Sequence, residues 1–147
     1  TFNDSNAEIE AIAAWVKELT DNGLSSEEIG VFVRSEAQLP RAKSALEAAE
    51  LPYKVLDQKM ETLTGFASLC TMHLAKGLEF RAVAVMACDD EVIPLQERIE
   101  TLTDASDLEE AYNTERQLLY VAATRARDYL LITGVAPASE FLEDMTV

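Results

Sequence analysis

Apolar residues in the N-terminal part of the chain recur at the spacing of a helix that buries one face. They lie three or four residues apart, as on one side of an α-helix, at Ile9, Ile12, Val16 and Leu19. Ser5 stands three residues before Glu8, which is the spacing of a capping box and predicts the start of this helix. The Asn22-Gly23 pair predicts its end.

Strands and helices alternate in the rest of the predicted pattern. Short apolar runs bounded by turn residues predict strands at Ile29 to Val33, Tyr53 to Leu56, Ala67 to Met72, Ala82 to Ala87 and Tyr129 to Thr133. Helical patterns cover about Glu36 to Glu50, about Leu108 to Arg127, and the segment after Pro137. This order is typical of an open, mostly parallel α/β sheet with helices on both faces, which binds ligands at the carboxyl ends of its strands.

Length and composition favour one intracellular domain spanning residues 1–147. Hydrophobic residues make up 48% of the chain, enough to bury a core at this length. Cys70 and Cys88 stand without a CxxC pair or a histidine cluster, so we expect neither a zinc site nor a disulfide. No apolar run approaches the roughly 18 residues of a membrane span. We therefore expect a soluble, cytoplasmic protein.

The charge balance argues against a stand-alone nucleic-acid binder. The chain has 12 basic and 27 acidic residues, and its net charge of -15 repels phosphate at long range. Acidic residues are densest from Asp89 to Glu110, where the pattern fits either a solvated loop or a partner-binding surface. The five glycines are scattered, so the sequence contains neither a GxxxxGK[ST] nor a GxGxxG phosphate loop.

The segment from Thr71 to Phe80 follows one predicted strand and precedes another. It presents hydroxyl, imidazole, ammonium and carboxylate groups around the flexible Gly77, and we expect these groups at the strand's carboxyl end; they belong to Thr71, His73, Lys76 and Glu79. Two structural interpretations stay open. The only histidine could be a hydrogen-bonded loop residue, and Lys76 with Glu79 could form an exposed ion pair.

The segment from Glu115 to Arg127 lies in the long predicted helix. At about 100° per residue, Arg125 falls inside the apolar arc of that helix. Its guanidinium must therefore find a carboxylate, a phosphate or a water-filled cleft, because an unpaired buried charge is very costly. A structural ion pair and a ligand-facing role are equally compatible with the pattern.

These two segments resemble motifs V and VI of the UvrD/Rep/PcrA helicases of superfamily 1, whose forms are T-x-H-x-x-K-G-L-E-[FW] and E-E-R-R-L-x-Y-V-x-x-T-R-A. The residues that match are Thr71, His73, Lys76, Gly77, Leu78, Glu79 and Phe80, followed by Glu115, Arg116, Leu118, Tyr120, Val121, Thr124, Arg125 and Ala126. The segment from Ile29 to Gln38 also resembles the part of the family that opens this domain. The resemblance runs from about Ile29 to Thr133.

The resemblance implies a second RecA-like motor domain that closes over ATP and Mg²⁺ held by a first domain. Hydrolysis would drive movement along single-stranded DNA in the 3′-to-5′ direction. Arg125 would be the arginine finger on the γ-phosphate, Glu79 would hold the ribose, and Gly77 would let the backbone approach the nucleotide. Thr71 and His73 would lie on the DNA track. Lys76, Arg116 and Arg34 would have supporting roles.

Departures from the family pattern qualify this expectation. The chain lacks the first motor domain, with its phosphate loop and magnesium ligands, so we expect a fragment that hydrolyses no ATP alone. Only seventeen residues separate Tyr53 from Thr71, where UvrD and Rep insert a large subdomain, so the parent is either compact or shortened there. Gln117 replaces the second arginine of motif VI, which weakens any role for that position.

Two other functions compete with the helicase interpretation. A RecA-like domain that has lost catalysis could bind a basic partner through its acidic surface, or mimic DNA. Retention of Glu79 together with Arg125 favours the helicase, because a decayed site has little reason to keep both. A metal-dependent nuclease is the weaker alternative, since one histidine and scattered acids supply no recognisable ligand spacing.

Overall fold

Five parallel strands form one open sheet. The computed structural model describes residues 1–57 and 64–145. The strands are β1 (Ile29–Val33), β2 (Tyr53–Val55), β3 (Ala67–Thr71), β4 (Phe80–Val85) and β5 (Ala126–Ile132). They pair in the order β2-β3-β1-β4-β5, every pair parallel. Residues 58–63, in the interval between Tyr53 and Thr71 where the resemblance implies an inserted subdomain, lie outside the described residues.

Helices cover both faces of this sheet, as predicted. They are α1 (Ser5–Asp21), α2 (Leu39–Ala48), α3 (Gln96–Glu100) and α4 (Ala105–Ala123). Successive side chains of a strand point to opposite faces, so the buried strands feed two cores. One core joins α1 and α2 to Val31 and Leu69, and the other joins α4 to Phe32 and Cys70. A strand buried on both faces is continuously apolar, as in the central β1.

Several predicted segments differ from the structure at their ends, and the last strand begins at Ala126, three residues before the predicted Tyr129. The helix predicted for about Glu36 to Glu50 is a 3₁₀ turn at Glu36–Gln38 followed by α2. The strand predicted for Ala82 to Ala87 begins earlier, at Phe80. The segment after Pro137 forms a 3₁₀ helix at Glu140–Met145. The helix predicted for Leu108 to Arg127 ends at Ala123, because the backbone from Ala126 onward pairs with β4 instead.

The predicted capping box at Ser5 is wrong. Asp4 caps α1, and its carboxylate accepts a hydrogen bond from the Ala7 N–H at 2.8 Å. Glu8 is fully buried and accepts hydrogen bonds from Arg41 and from Thr133 at 2.6 and 2.7 Å. A side chain that joins α1 to the sheet in this way cannot fold back onto the helix terminus.

Within the described ranges, no helix is both long and apolar enough to cross a membrane.

Candidate functional site

The loop between β3 and β4 crosses from one edge of the sheet to the other. Thr71 ends β3 at the carboxyl edge, and Phe80 begins β4 at the amino edge. The six residues of β4 span about 20 Å at roughly 3.3 Å per residue. The expectation that Thr71, His73 and Glu79 lie together at one strand end is therefore wrong. Because β3 and β4 run parallel on either side of β1, the connection between them must return along the full strand length.

Arg125 lies at the amino edge, in the turn between α4 and β5. Thr124 is the C-cap of α4, and the Phe80 N–H donates to the Arg125 carbonyl at 2.9 Å. This backbone bond holds Arg125 beside the residue that precedes Phe80 in the chain, Glu79. The sequence-based argument from the apolar helical arc is thus wrong, because Arg125 is outside the helix. Its proximity to Glu79 comes from strand pairing.

The Arg125 guanidinium contacts only neutral oxygens among the described residues. It donates to the Val121 carbonyl at 3.0 Å, the Leu78 carbonyl at 3.5 Å and the Thr124 hydroxyl at 3.2 Å. The side chain is half-buried. Within residues 1–57 and 64–145, no carboxylate forms an ion pair with it. The structural ion pair considered from sequence is therefore not formed there, and the positive charge is available to an external anion.

Glu79 pairs with Arg127, not with Lys76 as one interpretation of the sequence allowed. The Arg127 Nε lies 3.4 Å from Glu79 Oε1, and the two side chains are 55% and 64% exposed. Sequence reasoning gave Arg127 no role; its position two residues after Arg125, on the strand that neighbours β4, was the available signal. Gly77 has φ +87°, with open space where a Cβ would stand. This edge thus combines an exposed carboxylate, an unneutralised guanidinium and a glycine that leaves the backbone accessible.

The carboxyl edge holds a buried ion pair between Arg34, which follows β1, and Glu115 of α4. Arg34 Nε and Nη2 donate to the two carboxylate oxygens at 2.8 and 2.7 Å. Glu115 is fully buried and also accepts from the Leu95 N–H at 2.6 Å and from Arg98 at 3.1 Å. Burial raises the pKa of Glu115, but the hydrogen bonds from Arg34 and Leu95 outweigh it and leave this pKa lowered. Sequence reasoning assigned Glu115 no site role, although a carboxylate in an apolar helix signals a buried partner.

His73 and Thr71 lie at the same edge as this ion pair. The His73 side chain is exposed, and its Nε2 is 3.1 Å from Arg34 Nη1. Together with Arg34, the two residues line a groove of about 770 Å³. Carboxylates also line this groove, at Glu36, Glu91 and Glu97. The interpretation of His73 as a hydrogen-bonded loop residue is correct as far as its contact goes, and it leaves the ring accessible.

The remaining predicted residues lie around α4. Lys76 lines a second groove, of about 750 Å³, between the loop after β3 and α4. Arg116 donates to Asn113 at 3.2 Å and lies over the Phe141 ring at 4.9 Å. In the described ranges no three His, Cys, Asp or Glu side chains are placed to hold a metal ion. Burial raises the pKa of the Cys70 thiol to about 12, as expected for a core cysteine.

The fold is an α/β fold that also occurs in a solved C-terminal domain of a possible DNA helicase. The C-terminal domain of a possible DNA helicase from Lactobacillus plantarum WCFS1 superposes on the chain with a TM-score of 0.67. The alignment covers 97% of this chain and 74% of that one at 22% sequence identity, which establishes the fold. The expected open parallel sheet with helices on both faces is confirmed.

Residues 67–136 match the UvrD-like helicase C-terminal domain family. ATP-dependent DNA helicase UvrD1 of Mycobacterium tuberculosis H37Rv is 32% identical over 107 residues, 73% of this chain and 12% of that protein. PcrA of Bacillus subtilis is 40% identical over 81 residues, 54% of this chain and 10% of that protein. The chain thus spans about a tenth of its relatives' length. The resemblance to UvrD/PcrA-type helicases is confirmed, and it falls on the C-terminal domain of that type of helicase.

Proposed function

We propose that the chain supplies the second motor domain of an ATP-dependent 3′-to-5′ DNA helicase that acts in the cytoplasm. It would close over ATP and Mg²⁺ held by a first RecA-like domain of the same protein. The observation that carries this proposal is the environment of Arg125. Among the residues that the structure describes, this half-buried guanidinium contacts only neutral oxygens and lies beside an exposed carboxylate, so it is suited to bind the polyphosphate end of a nucleotide held by another domain.

The amino edge would form this domain's half of the nucleotide site. Arg125 would contact the γ-phosphate, and Glu79 would accept hydrogen bonds from the ribose hydroxyls. The ion pair between Glu79 and Arg127 would compete only weakly with the ribose for Glu79, because exposed ion pairs contribute only about 0–1 kcal/mol. Gly77 leaves the backbone accessible beside these groups. The magnesium ligands would come from the first domain.

The carboxyl edge would form part of the single-stranded DNA track. Thr71 and His73 offer polar side chains on the groove there, with Arg34 behind them. The groove also contains three glutamates, so its contribution to binding would come from local hydrogen bonds and not from long-range attraction. Lys76 would support the same loop from the α4 side.

Helix α4 connects the two proposed half-sites. Glu115 on this helix bonds to Arg34 at the carboxyl edge, and the helix ends two residues before Arg125 at the amino edge. Since a packed helix moves as a unit, a shift of α4 on nucleotide binding would also displace Glu115 and Arg34 at the carboxyl edge. This coupling belongs to the proposed function and accounts for the charged residue inside the helix.

Arg125→Ala in the intact helicase tests the proposal. We expect DNA-stimulated ATP hydrolysis to fall by roughly 10³ to 10⁵, the range for arginine fingers, with a much smaller loss of nucleotide affinity. Arg125→Lys should restore little, because an ammonium lacks the planar fork. The measurements are steady-state phosphate release and nucleotide titration on variants of verified thermal stability.

Arg127→Ala is the matched control for this experiment. It removes a neighbouring arginine that already has a carboxylate partner, and hydrolysis should change by less than about tenfold. If Arg125 were only structural, its replacement would lower the melting temperature, and activity would fall only with the folded fraction. A fully folded Arg125→Ala helicase with near-normal turnover would refute the finger assignment. An intact protein that hydrolyses no ATP would instead favour the inactive interaction module.

A further inference from the structure

We infer that Arg34 is a positioning residue that holds the His73 ring neutral, with Nε2 unprotonated and the proton on Nδ1. The group offered at the carboxyl edge is then an uncharged N–H donor, not an imidazolium. Only the identity of the acceptor, single-stranded DNA, rests on the proposed function. The protonation pattern of the ring follows from the contacts of the domain itself.

The contact between the two side chains decides which nitrogen carries the proton. Arg34 Nη1 lies 3.1 Å from His73 Nε2. A guanidinium has five N–H donors and no acceptor, and it stays protonated in proteins. The hydrogen bond therefore requires a lone pair on Nε2. A ring protonated at Nε2, whether neutral or cationic, would place two N–H groups head to head at this distance.

Arg34 is held so firmly that the histidine must adapt to it. Its Nε and Nη2 are fixed by the two oxygens of the fully buried Glu115. Glu115 is fixed in turn by the Leu95 N–H and by Arg98. The guanidinium is planar, and its Nε and Nη2 donors are both bonded to Glu115. The direction of the remaining nitrogen, Nη1, is therefore fixed. The exposed His73 ring meets this donor, and its protonation state follows.

A neutral donor suits the surroundings of the ring. The groove beside it is lined by carboxylates at Glu36, Glu91 and Glu97. An imidazolium there would form an ion pair with one of these glutamates, and the ring would then be less available to a ligand. An uncharged N–H can donate to a phosphate or base oxygen while releasing no counterion, so its contribution to DNA affinity is independent of salt.

Nuclear magnetic resonance on the 147-residue chain tests the inference directly. His73 is the only histidine, so histidine-selective ¹⁵N labelling yields one pair of ring nitrogen signals. At neutral pH we expect Nε2 to resonate as an unprotonated, pyridine-type nitrogen and Nδ1 as a protonated, pyrrole-type nitrogen. A scalar coupling across the Arg34 N–H···Nε2 bond would identify the donor. A protonated Nε2 in the folded chain would overturn the inference.

Two variants separate positioning from simple packing. Arg34→Met combined with Glu115→Gln removes both charges at similar volume and keeps an acceptor for the Leu95 N–H. Its His73 ring should shift toward the Nε2–H tautomer that exposed histidines prefer. Arg98→Gln loses a contact to Glu115 but touches nothing at His73, so its ring signals should match the wild type. An unchanged tautomer in the folded double variant would overturn the role of Arg34. If the double variant fails to fold, the scalar coupling across the Arg34 N–H···Nε2 bond in the wild type decides the question.

The DNA acceptor is tested separately, so the two ideas can fail independently. In the intact helicase, His73→Gln keeps a neutral donor and His73→Ala removes it. We expect His73→Ala to weaken binding of a labelled oligonucleotide several-fold more than His73→Gln, with the same dependence of affinity on salt. Equal binding by both would exclude DNA as the acceptor while leaving the tautomer result intact. A salt dependence that is weaker in both variants than in the wild type would contradict a neutral donor, because both substitutions would then have removed a positive charge.

Discussion

Arg125 shows how a charge can remain in a folded domain with no carboxylate partner in the described part of the chain. Three neutral oxygens, from Val121, Leu78 and Thr124, share its donors while the side chain stays half-buried. Carbonyl and hydroxyl groups orient a guanidinium without neutralising it, so its attraction for an external anion is retained. A carboxylate in the same place would hold the side chain more strongly and would compete with phosphate.

Gly77 is the second residue whose individual chemistry predicts an outcome. Its φ of +87° is in the left-handed region, and no atom lies within 4 Å of the place that a Cβ would take. Gly77→Ala should therefore cost about 1–2 kcal/mol from backbone strain alone, lowering the melting temperature by roughly 2–4 °C for each kcal/mol. In the intact helicase it should also weaken ATP binding several-fold, because the added methyl group faces the proposed nucleotide path. Thermal denaturation and nucleotide titration measure the two effects.

Gly23 provides a control with a similar positive φ. It has φ +102°, also with open space around it, and it follows α1 far along the chain from the proposed site. Gly23→Ala should match Gly77→Ala in stability and leave ATP affinity unchanged. Equal ATP affinity in the two variants would exclude a close approach of the nucleotide to Gly77.

At the scale of elements, the position of α4 depends on its buried carboxylate. Glu115 ties the helix to β1 through Arg34 and to the segment before α3 through Leu95. A buried pair contributes little relative to apolar packing, yet removing one partner leaves an uncompensated charge. The pair therefore acts less as a source of stability than as a constraint on where α4 lies against the sheet.

Glu115→Gln should destabilise the domain by about 3–5 kcal/mol at neutral pH, because Arg34 stays buried without its partner. The lowered pKa of Glu115 determines the pH dependence. Its stabilising effect is fully present above the ordinary value of 4.5 and is lost as pH falls through the lower folded-state pKa. The difference between wild type and variant should therefore shrink below about pH 4.5, as measured by urea denaturation across pH.

Asp128→Asn is the surface counterpart of that substitution. Asp128 pairs with Arg81 at 2.8 Å, and the two side chains are 43% and 36% exposed. Its loss should leave the free energy of unfolding nearly unchanged, because solvent screens an exposed ion pair. The proposed constraint on α4 would be wrong if Glu115→Gln lowered the free energy of unfolding as little as Asp128→Asn does. It would also be wrong if the loss caused by Glu115→Gln were as large at low pH as at neutral pH.

At the scale of the whole molecule, the domain presents its two proposed half-sites on opposite edges of one sheet. Glu79 and Arg125 lie at the amino edge, and Thr71 and His73 at the carboxyl edge. A parallel sheet makes this division possible, because each connection between neighbouring strands passes both edges. A ligand at either edge can then be sensed by elements, such as α4, that span the sheet.

The chain alone should hydrolyse no ATP. Its sequence contains no phosphate loop, and this type of chemistry needs that loop's lysine and a bound magnesium ion. A phosphate-release assay with single-stranded DNA present should therefore stay at background, with circular dichroism confirming the fold. Turnover of about 1 s⁻¹, at the low end for phosphoryl transfer, would show a nucleotide site that is complete within these 147 residues.

Local patterns in the sequence determined the types of the predicted elements and the pair of motifs, although the short helix α3 (Gln96–Glu100) was not predicted. The short, β-branched apolar run at Ile29–Val33 predicted a buried strand, and the spacing of Ile12, Val16 and Leu19 predicted a helix face; both predictions are confirmed. These signals depend on neighbours within a few residues, which is why all five strands were predicted within three residues of their ends. The motif residues were identified for the same reason, as contiguous patterns of side chains.

Only the tertiary structure decided which motif residues meet and what each charge contacts. Helical periodicity continues smoothly through Arg125, but the strand that pairs Ala126 with Phe80 ends the helix first and turns Arg125 toward the Leu78 carbonyl. The partner of Glu115 lies 81 residues away at Arg34, a separation across which no local pattern extends. Sheet pairing and burial compete with local conformational preference over such distances. The conformation that each residue adopts therefore depends on free energies that arise only when the elements pack together.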